Sequence, residues 1–181
     1  MRMRLLAITT IVLLAASCSS ITVNTSSDPE ASFKGYKTWD WLPEGPSPTG
    51  NPDLDDPQLV ERIKKLVGAG FEKDGFAKSS DSPDFYVNYH VALGEELNPA
   101  RIQNFYEFAN YNVYMPRWDV TYATVWTVGT LVVDVIDVDT KTLVWRGYGQ
   151  TDINPQAGPR ENTPKIQEII KKMLGRFPPK S

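Results

Sequence analysis

The chain has 181 residues, of which 41% are hydrophobic and 23% are charged, a composition typical of a folded domain rather than a disordered one. With 19 Lys and Arg against 22 Asp and Glu, the formal net charge is −3, which argues against binding to the phosphate backbone of nucleic acid. One cysteine and one histidine exclude a disulfide framework and a Cys/His zinc site within the chain. We therefore expect no metal, no cofactor and no nucleic-acid partner.

Residues 1–17 are predicted to be a secretory signal peptide. Arg2 and Arg4 precede an apolar run over residues 5–16, which is too short to cross a bilayer as a helix. The stretch that follows, Leu-Ala-Ala-Ser-Cys at residues 14–18, resembles the lipobox of bacterial lipoproteins, with Ala15 at the position where Leu is usual. The resemblance implies that the signal is cut before Cys18, that its sulfur receives a diacylglyceryl group, and that its new amine is acylated, for example with palmitate.

The same resemblance predicts the location of the chain. Acyl chains on Cys18 would hold the protein on a membrane. Ser19 stands where Asp would favour retention in the inner membrane, so in a Gram-negative cell the periplasmic face of the outer membrane is implied. The alternative is an ordinary signal peptide in which Cys18 is incidental.

Residues 18–42 begin the mature chain. Residues 18–32 are either a short tether or a first strand, because Ile21 and Val23 alternate with polar residues. Residues 33–42 predict a strand with Trp39 and Trp41 on one face, and the prolines and glycines of residues 43–52 predict a loop.

Two amphipathic helices are predicted. The first has Asp56 as N-cap, Pro57 in its first turn and Gly75 at its end. The second has Thr163 as cap with Pro164 in its first turn, and Gly175 ends it. Their apolar stripes are Leu59, Ile63, Leu66, Val67 and Phe71 in the first, and Ile166, Ile169, Ile170, Met173 and Leu174 in the second.

Three further segments have strand character. Residues 84–93 alternate, with one apolar face and a second face that carries Tyr86 and His90. Residues 121–137 are strongly β-forming with Gly129 as a plausible bulge, and residues 142–150 follow after a hairpin turn. We favour a three-residue turn at 139–141, because it pairs Val135 with Trp145 and Asp134 with Arg146. A two-residue turn would shift that register by one residue.

The order of strands, helix, strands and helix predicts an α+β fold. We expect a two-layer sandwich in which a mostly antiparallel sheet carries both helices on one face. Residues 33–179 would form this single domain.

The chemistry of the chain offers few catalytic candidates. His90 is the only histidine and lies in the middle of a predicted strand. The sequence has no Gly-x-Ser-x-Gly motif that would expose a nucleophilic serine for it to activate. Carboxylate pairs for a hydrolase are candidates by proximity alone, namely Asp81 with Asp84 and Asp134 with Asp137.

Aromatic residues are concentrated between residues 104 and 126. Aromatic side chains with polar tips are enriched at binding surfaces, and these could contact a sugar, a lipid or a protein. The alternative is that they cover the second face of the sheet or fill a minor core. The candidate ligand- or partner-binding residues are Tyr106, Tyr111, Tyr114 and Trp118, with Tyr86 and His90 on the sheet.

Several motifs together resemble a bacterial lipoprotein family catalogued as domain of unknown function 4136. They are Tyr-Lys-Thr-Trp at 36–39, Pro-Asp-Phe-Tyr-Val-Asn-Tyr-His at 83–90, Gly-Thr-Leu-Val-Val-Asp at 129–134, Leu-Val-Trp-Arg-Gly at 143–147 and Phe-Pro-Pro at 177–179. The family has no established activity, so the resemblance implies no catalytic residue.

Three functions follow as hypotheses. The favoured one is a non-enzymatic envelope lipoprotein that contacts an envelope protein or glycan. The second is a binder of a small ligand such as a sugar, a peptidoglycan fragment or a lipid, through the aromatic segment 104–126. The third is a carboxylate-based hydrolase that uses Asp84 and Asp134.

Overall fold

The computed structural model describes residues 21–46, 48–93, 102, 104–106, 113–114, 129–153 and 159–179. Six strands and two long helices follow each other along the chain. They are β1 (Thr22–Ser27), β2 (Thr38–Trp41), α1 (Pro57–Lys73), β3 (Ala77–Lys78), β4 (Phe85–Leu93), β5 (Gly129–Asp137), β6 (Leu143–Thr151) and α2 (Pro159–Leu174).

The strands form one open, mixed sheet in the order β1-β6-β5-β4-β2-β3. Strands β1, β6, β5 and β4 pair antiparallel, whereas β2 pairs parallel with both β4 and β3. Residues of both helices share one core with the alternate residues of the sheet that face them. The predicted α+β sandwich with a mostly antiparallel sheet is confirmed, and the parallel pairing of β2 is an addition to it.

Helix α1 forms as its local signals predict. The Asp56 carboxylate accepts a hydrogen bond from the N–H of Gln58, at 2.8 Å. At the other end Gly75 takes a positive φ of 95°, and the Phe76 N–H donates to the Phe71 carbonyl at 3.0 Å. This is the left-handed stop in which the residue after glycine packs back on the last turn.

Helix α2 begins earlier than predicted. It starts at Pro159, so Pro164 lies inside the helix and Thr163 is not its N-cap. The hydroxyl of Thr163 instead accepts a hydrogen bond from Arg62 Nη1 of α1 at 3.0 Å, which links the two helices. Pro164 lacks the N–H that would bond the carbonyl four residues back, so the second turn of α2 is without that backbone hydrogen bond.

Strand β2 is shorter than predicted, since residues 33–37 turn before Thr38 begins the strand. Hydrogen bonds to the Asp84 side chain fix the residue at which β2 begins. Its carboxylate accepts hydrogen bonds from the N–H of Lys37 and of Thr38, both at 2.8 Å, and from the Thr38 hydroxyl at 2.9 Å. Residues 18–32 are expected from the sequence to be either a tether or a first strand, and they contain the strand β1.

The β5–β6 hairpin has the predicted register with a different turn. Val135 lies opposite Trp145 and Asp134 opposite Arg146. The Asp137 N–H, however, donates to the Thr142 carbonyl at 2.9 Å, so four residues, 138–141, form the turn. A register shift between Val135 and Ile136 compensates, because Val144 is an extra residue on β6.

The predicted bulge at Gly129 is wrong. Gly129 pairs regularly with Leu93 on one side and Thr151 on the other, and the register of β5 changes only at the Val144 bulge among the described pairs. A Cβ at Gly129 would overlap the side chain of Ile153. Glycine is therefore needed here for close packing and not for an irregular strand.

The main core lies between the helices and the sheet. Gly147 and Gly149 on β6 face α2, where any Cβ would overlap Met173 or Ile169. The helix therefore lies directly against a strand that has no side chains at these positions. Phe177 closes the far end of this core with ring contacts to Phe33, Phe71, Phe76, Phe85 and Trp145.

Candidate functional site: a buried polar cluster on the second face of the sheet

The second face of the sheet, opposite the helices, is covered by part of the aromatic segment. Ile102, Tyr106 and Val113 pack with Leu42, Ile136 and Leu143 in a second apolar cluster, and Phe105 lies beside them. Residues 104–106 have helical backbone. The sequence leaves open whether the aromatic segment is a binding surface or a cover for the second face of the sheet. In the described part of the segment, Phe105, Tyr106 and Val113 cover that face.

Five polar side chains lie under this cover, and we call them the polar cluster. They come from three adjacent strands and from the covering segment: Asn88 and His90 of β4, Asp134 of β5, Arg146 of β6, and Tyr106. Cross-strand register brings them together, since Asn88 lies opposite Asp134, and Asp134 lies opposite Arg146. All five are buried, with Asp134 0% and Arg146 2% exposed.

The centre of the polar cluster is a bidentate ion pair. Arg146 Nε donates to Asp134 Oδ1 at 2.6 Å, and Arg146 Nη2 donates to Asp134 Oδ2 at 2.8 Å. The Tyr106 hydroxyl donates to Asp134 Oδ2 at 2.5 Å. The carboxylate therefore has three short hydrogen bonds, which is the geometry that makes a fully buried ion pair tolerable.

His90 and Asn88 complete the polar cluster around the tyrosine hydroxyl. His90 Nε2 lies 3.3 Å from the Tyr106 oxygen and 3.3 Å from Asp134 Oδ2. Asn88 Nδ2 donates to the Tyr106 oxygen at 3.4 Å. The Tyr106 oxygen thus lies within 3.4 Å of three other members and connects them.

The ion pair determines the protonation of its members. Burial disfavours a charged Asp134, but the adjacent Arg146 guanidinium outweighs burial and holds the pKa of Asp134 well below its usual range. Burial, together with the nearby Asp134 charge, raises the pKa of the Tyr106 phenol well above its ordinary value. At neutral pH the pair is therefore a carboxylate with a guanidinium, and the phenol keeps its proton.

Two of the carboxylates proposed for a hydrolase, Asp84 and Asp137, accept hydrogen bonds from neighbouring backbone and side chains. Hydrogen bonds from the N–H of Lys37 and of Thr38 lower the pKa of Asp84. Burial opposes ionisation of Asp137, but bonds from Thr140 and from the Tyr36 hydroxyl, the latter at 2.7 Å, lower its pKa. A general acid for glycoside cleavage needs a raised pKa, and the pKa values of Asp84 and Asp137 are shifted in the opposite direction.

The structure separates the residues predicted for ligand or partner binding. It brings His90 and Tyr106 together in the polar cluster and places Tyr86, half-buried, against the second apolar cluster. Tyr114 is 65% exposed and lies beside the β5–β6 turn, where its N–H donates to the Lys141 carbonyl at 2.9 Å. Tyr111, Trp118 and the predicted lipidation residue Cys18 lie outside the described residues.

Sequence reasoning did not assign Asn88 and Arg146 to a site. The signal was present for Arg146, because the predicted register places it opposite Asp134 on the second face. The strand pattern could not predict that Tyr106 and its neighbours bury this pair. Within the described ranges, no group of three His, Cys, Asp or Glu residues is placed to hold a metal ion.

The motifs that carry the family resemblance meet in space. Asp84 of the 83–90 motif binds Thr38 of the 36–39 motif, and Asp134 of the 129–134 motif binds Arg146 of the 143–147 motif. Phe177 of the last motif lies in the main core. These contacts place the motifs beside one another in the fold.

No helix in the part of the chain that the structure describes has both the length and the hydropathy to cross a membrane.

Solved structures with this fold come from several bacterial proteins. A DUF4136 family protein from Bacteroides thetaiotaomicron VPI-5482 is 16% identical, with a TM-score of 0.60 over 87% of this chain and 96% of that chain. A PDZ domain protein from Parabacteroides distasonis ATCC 8503 is 11% identical, with a TM-score of 0.53 over 90% of this chain and 37% of that one. PelC from Paraburkholderia phytofirmans, solved as a dodecamer, is 14% identical, with a TM-score of 0.50 over 90% of this chain and 100% of its own.

At these identities the solved structures show a shared fold alone. No curated protein matches the chain. The model of the family described as "Domain of unknown function (DUF4136)" matches residues 23–179, which include every strand and helix from the second residue of β1 to the Phe-Pro-Pro motif. The chain therefore belongs to the DUF4136 family, a family of unknown function.

Proposed function

We propose that this protein is an envelope lipoprotein, anchored through acyl chains on Cys18, that acts as a non-enzymatic interaction module. The observation that carries the anchor is the position of the lipobox relative to the fold. The first described residue is Ile21 and β1 begins at Thr22, so cleavage before Cys18 leaves every described element intact. Each buried methylene of an acyl chain contributes about 0.8 kcal/mol to membrane binding, and two or more chains together give stable anchoring.

The interaction role is supported by how the polar side chains are used. The Asp134 charge is matched by Arg146, and Asp84 and Asp137 accept hydrogen bonds that start β2 and shape the hairpin turn. Charged groups with fixed partners stabilise a fold, whereas a catalytic acid or base needs a proton that it can exchange near neutral pH. Tyr114, in contrast, is the one large hydrophobic side chain exposed among the described residues, and we infer that it is the contact, because aromatic side chains with polar tips are enriched at interfaces.

The anchor is tested with the full chain expressed in a Gram-negative host. We expect mass spectrometry to find the N-terminal peptide beginning at an acylated Cys18, and we expect the protein to float with membranes in a density gradient. The Cys18→Ser variant should lose both properties. A wild-type chain that retains residues 1–17, or that stays in the soluble fraction, would refute the anchor.

The interaction role is tested by photo-crosslinking in living cells. A photoreactive phenylalanine analogue at position 114 is compared with the same analogue at Glu72, which is exposed on α1. We expect a discrete adduct with an envelope component at 114 and none at 72. If position 114 gives no adduct in cells that carry the lipidated protein, the proposed contact at Tyr114 is wrong.

A further inference from the structure

We propose that the end of the sheet at which β1 begins faces the lipid surface, and that the end with the β5–β6 turn points away from it. This orientation rests on the proposed lipid anchor at Cys18 and adds to it the part of the fold that meets the bilayer. It follows from the length of chain between the anchor and the fold.

The connection from the anchor to the fold is short. Ile21 is half-buried and already packs against the main core. Three peptide steps separate Cys18 from Ile21. At about 3.6 Å per residue for a fully extended chain, the two Cα atoms can be no more than about 11 Å apart. The acyl chains must enter the bilayer from within that radius, so Ile21 is held beside the lipid headgroups.

The sheet register identifies what shares this end with Ile21. Across the strands, Thr22 lies opposite Gln150, Gln150 opposite Thr130, and Thr130 opposite Ala92. Three residues at this end are apolar and half-buried: Ile21 directly before β1, Leu93 at the end of β4, and Ile153 two residues after the end of β6. Three apolar side chains at this end of the sheet, one of them just after β6, the strand that pairs with β1, suit the boundary between protein and lipid headgroups.

The opposite end of the sheet lies well outside the reach of the connection. Strand β5 has nine residues, and at about 3.3 Å per residue it extends about 26 Å from Gly129 to Asp137. The turn of residues 138–141 follows Asp137, and Tyr114 bonds to the backbone of Lys141 and Leu143 beside it. The exposed Tyr114 ring is thus presented at the end far from the bilayer, where it can meet a component of the envelope that is not lipid.

The orientation is tested with the lipidated full chain in phosphatidylcholine vesicles. Since Cys18 is the only cysteine and its sulfur is blocked by the lipid, a cysteine introduced elsewhere is the single free thiol. Asp152→Cys places a fluorophore at the proposed membrane end, and Asp139→Cys places one in the turn, both at exposed positions. We expect a headgroup nitroxide to quench the label at 152 several-fold more strongly than the label at 139.

A longer connection is the matched control. Inserting 20 Gly and Ser residues between Ser20 and Ile21 gives a root-mean-square reach of about 25 Å, which removes the constraint. The difference in quenching should then disappear while the vesicles still retain the protein. Equal or reversed quenching in the unmodified, vesicle-bound chain would overturn the orientation and leave the anchor standing. A chain that carries no lipid and does not bind vesicles would overturn the anchor and, with it, this inference.

Discussion

The ion pair between Asp134 and Arg146 gives the sharpest test of the energetics of this fold. Replacing Asp134 by Leu removes the carboxylate and leaves the Arg146 guanidinium 2% exposed without its counter-charge. Breaking a buried pair in this way costs about 3–5 kcal/mol. The Tyr106 hydroxyl also loses its acceptor, which costs about 1–3 kcal/mol on its own. Since domains of this size are stable by about 5–15 kcal/mol, Asp134→Leu should be close to unfolding at room temperature.

The double substitution separates the charge from the packing. In Asp134→Leu with Arg146→Met no buried charge remains, and replacing a whole buried pair by apolar residues is often neutral or stabilising. We expect the double variant to be more stable than either single variant. Its decrease in the free energy of unfolding should be smaller than the sum of the two single decreases by at least about 2 kcal/mol.

Urea unfolding of residues 19–181 measures these values. The five tryptophans, with Trp39 and Trp145 in the main core, give the fluorescence signal. An unchanged slope against urea concentration would show that the compared transitions are equivalent. If the single losses simply add in the double variant, Asp134 and Arg146 are not coupled, and the account of the polar cluster given above is refuted.

Three further predictions concern glycines and acid stability. Gly149→Ala should destabilise by about 1–3 kcal/mol, because its Cβ would overlap Ile169 of α2, whereas Gly35→Ala, with no atom within 4 Å, should change stability by less than about 0.5 kcal/mol in the same urea assay. Gly75→Ala should cost about 1 kcal/mol and lower the thermal midpoint, since φ is +95° there; an unchanged midpoint would contradict the left-handed stop. Asp84 has a lowered pKa in the folded state, so its stabilisation is present above the ordinary value of 3.8 and is lost as pH falls below it; Asp84→Asn should flatten this acid decline, and an identical decline in both proteins would be evidence against it.

Local sequence signals predicted α1 and the alternation of β4 well. The Asp56 cap, the apolar stripe and Gly75 each act within a few residues, so the sequence contains the whole of that information. The start of β2 and its parallel pairing depend instead on Asp84, more than forty residues away, whose carboxylate binds Lys37 and Thr38. A contact between residues so far apart in the chain produces no periodic pattern in the sequence, so it could not be predicted from the sequence.

The candidate site was predictable only in part, for the same reason. Placing Asp134 opposite Arg146 needed just the hairpin register, and His90 on the second face needed just the alternation of β4. Their burial depends on Tyr106, which lies in a segment with no regular apolar pattern. The aromatic content of that segment was compatible with both a binding surface and a cover, and only the three-dimensional contacts of Tyr106 decide its role.

The turn and the bulge of the hairpin act as a matched pair. Four residues in the turn would, on their own, set Trp145 opposite Asp134 and move the indole out of the main core. The extra residue Val144 offsets the strand by one, which returns Trp145 to the helix side and Arg146 to the side of Asp134. Losing one residue from the turn or from the bulge alone would therefore invert part of a strand, while losing one from each would leave both faces as they are.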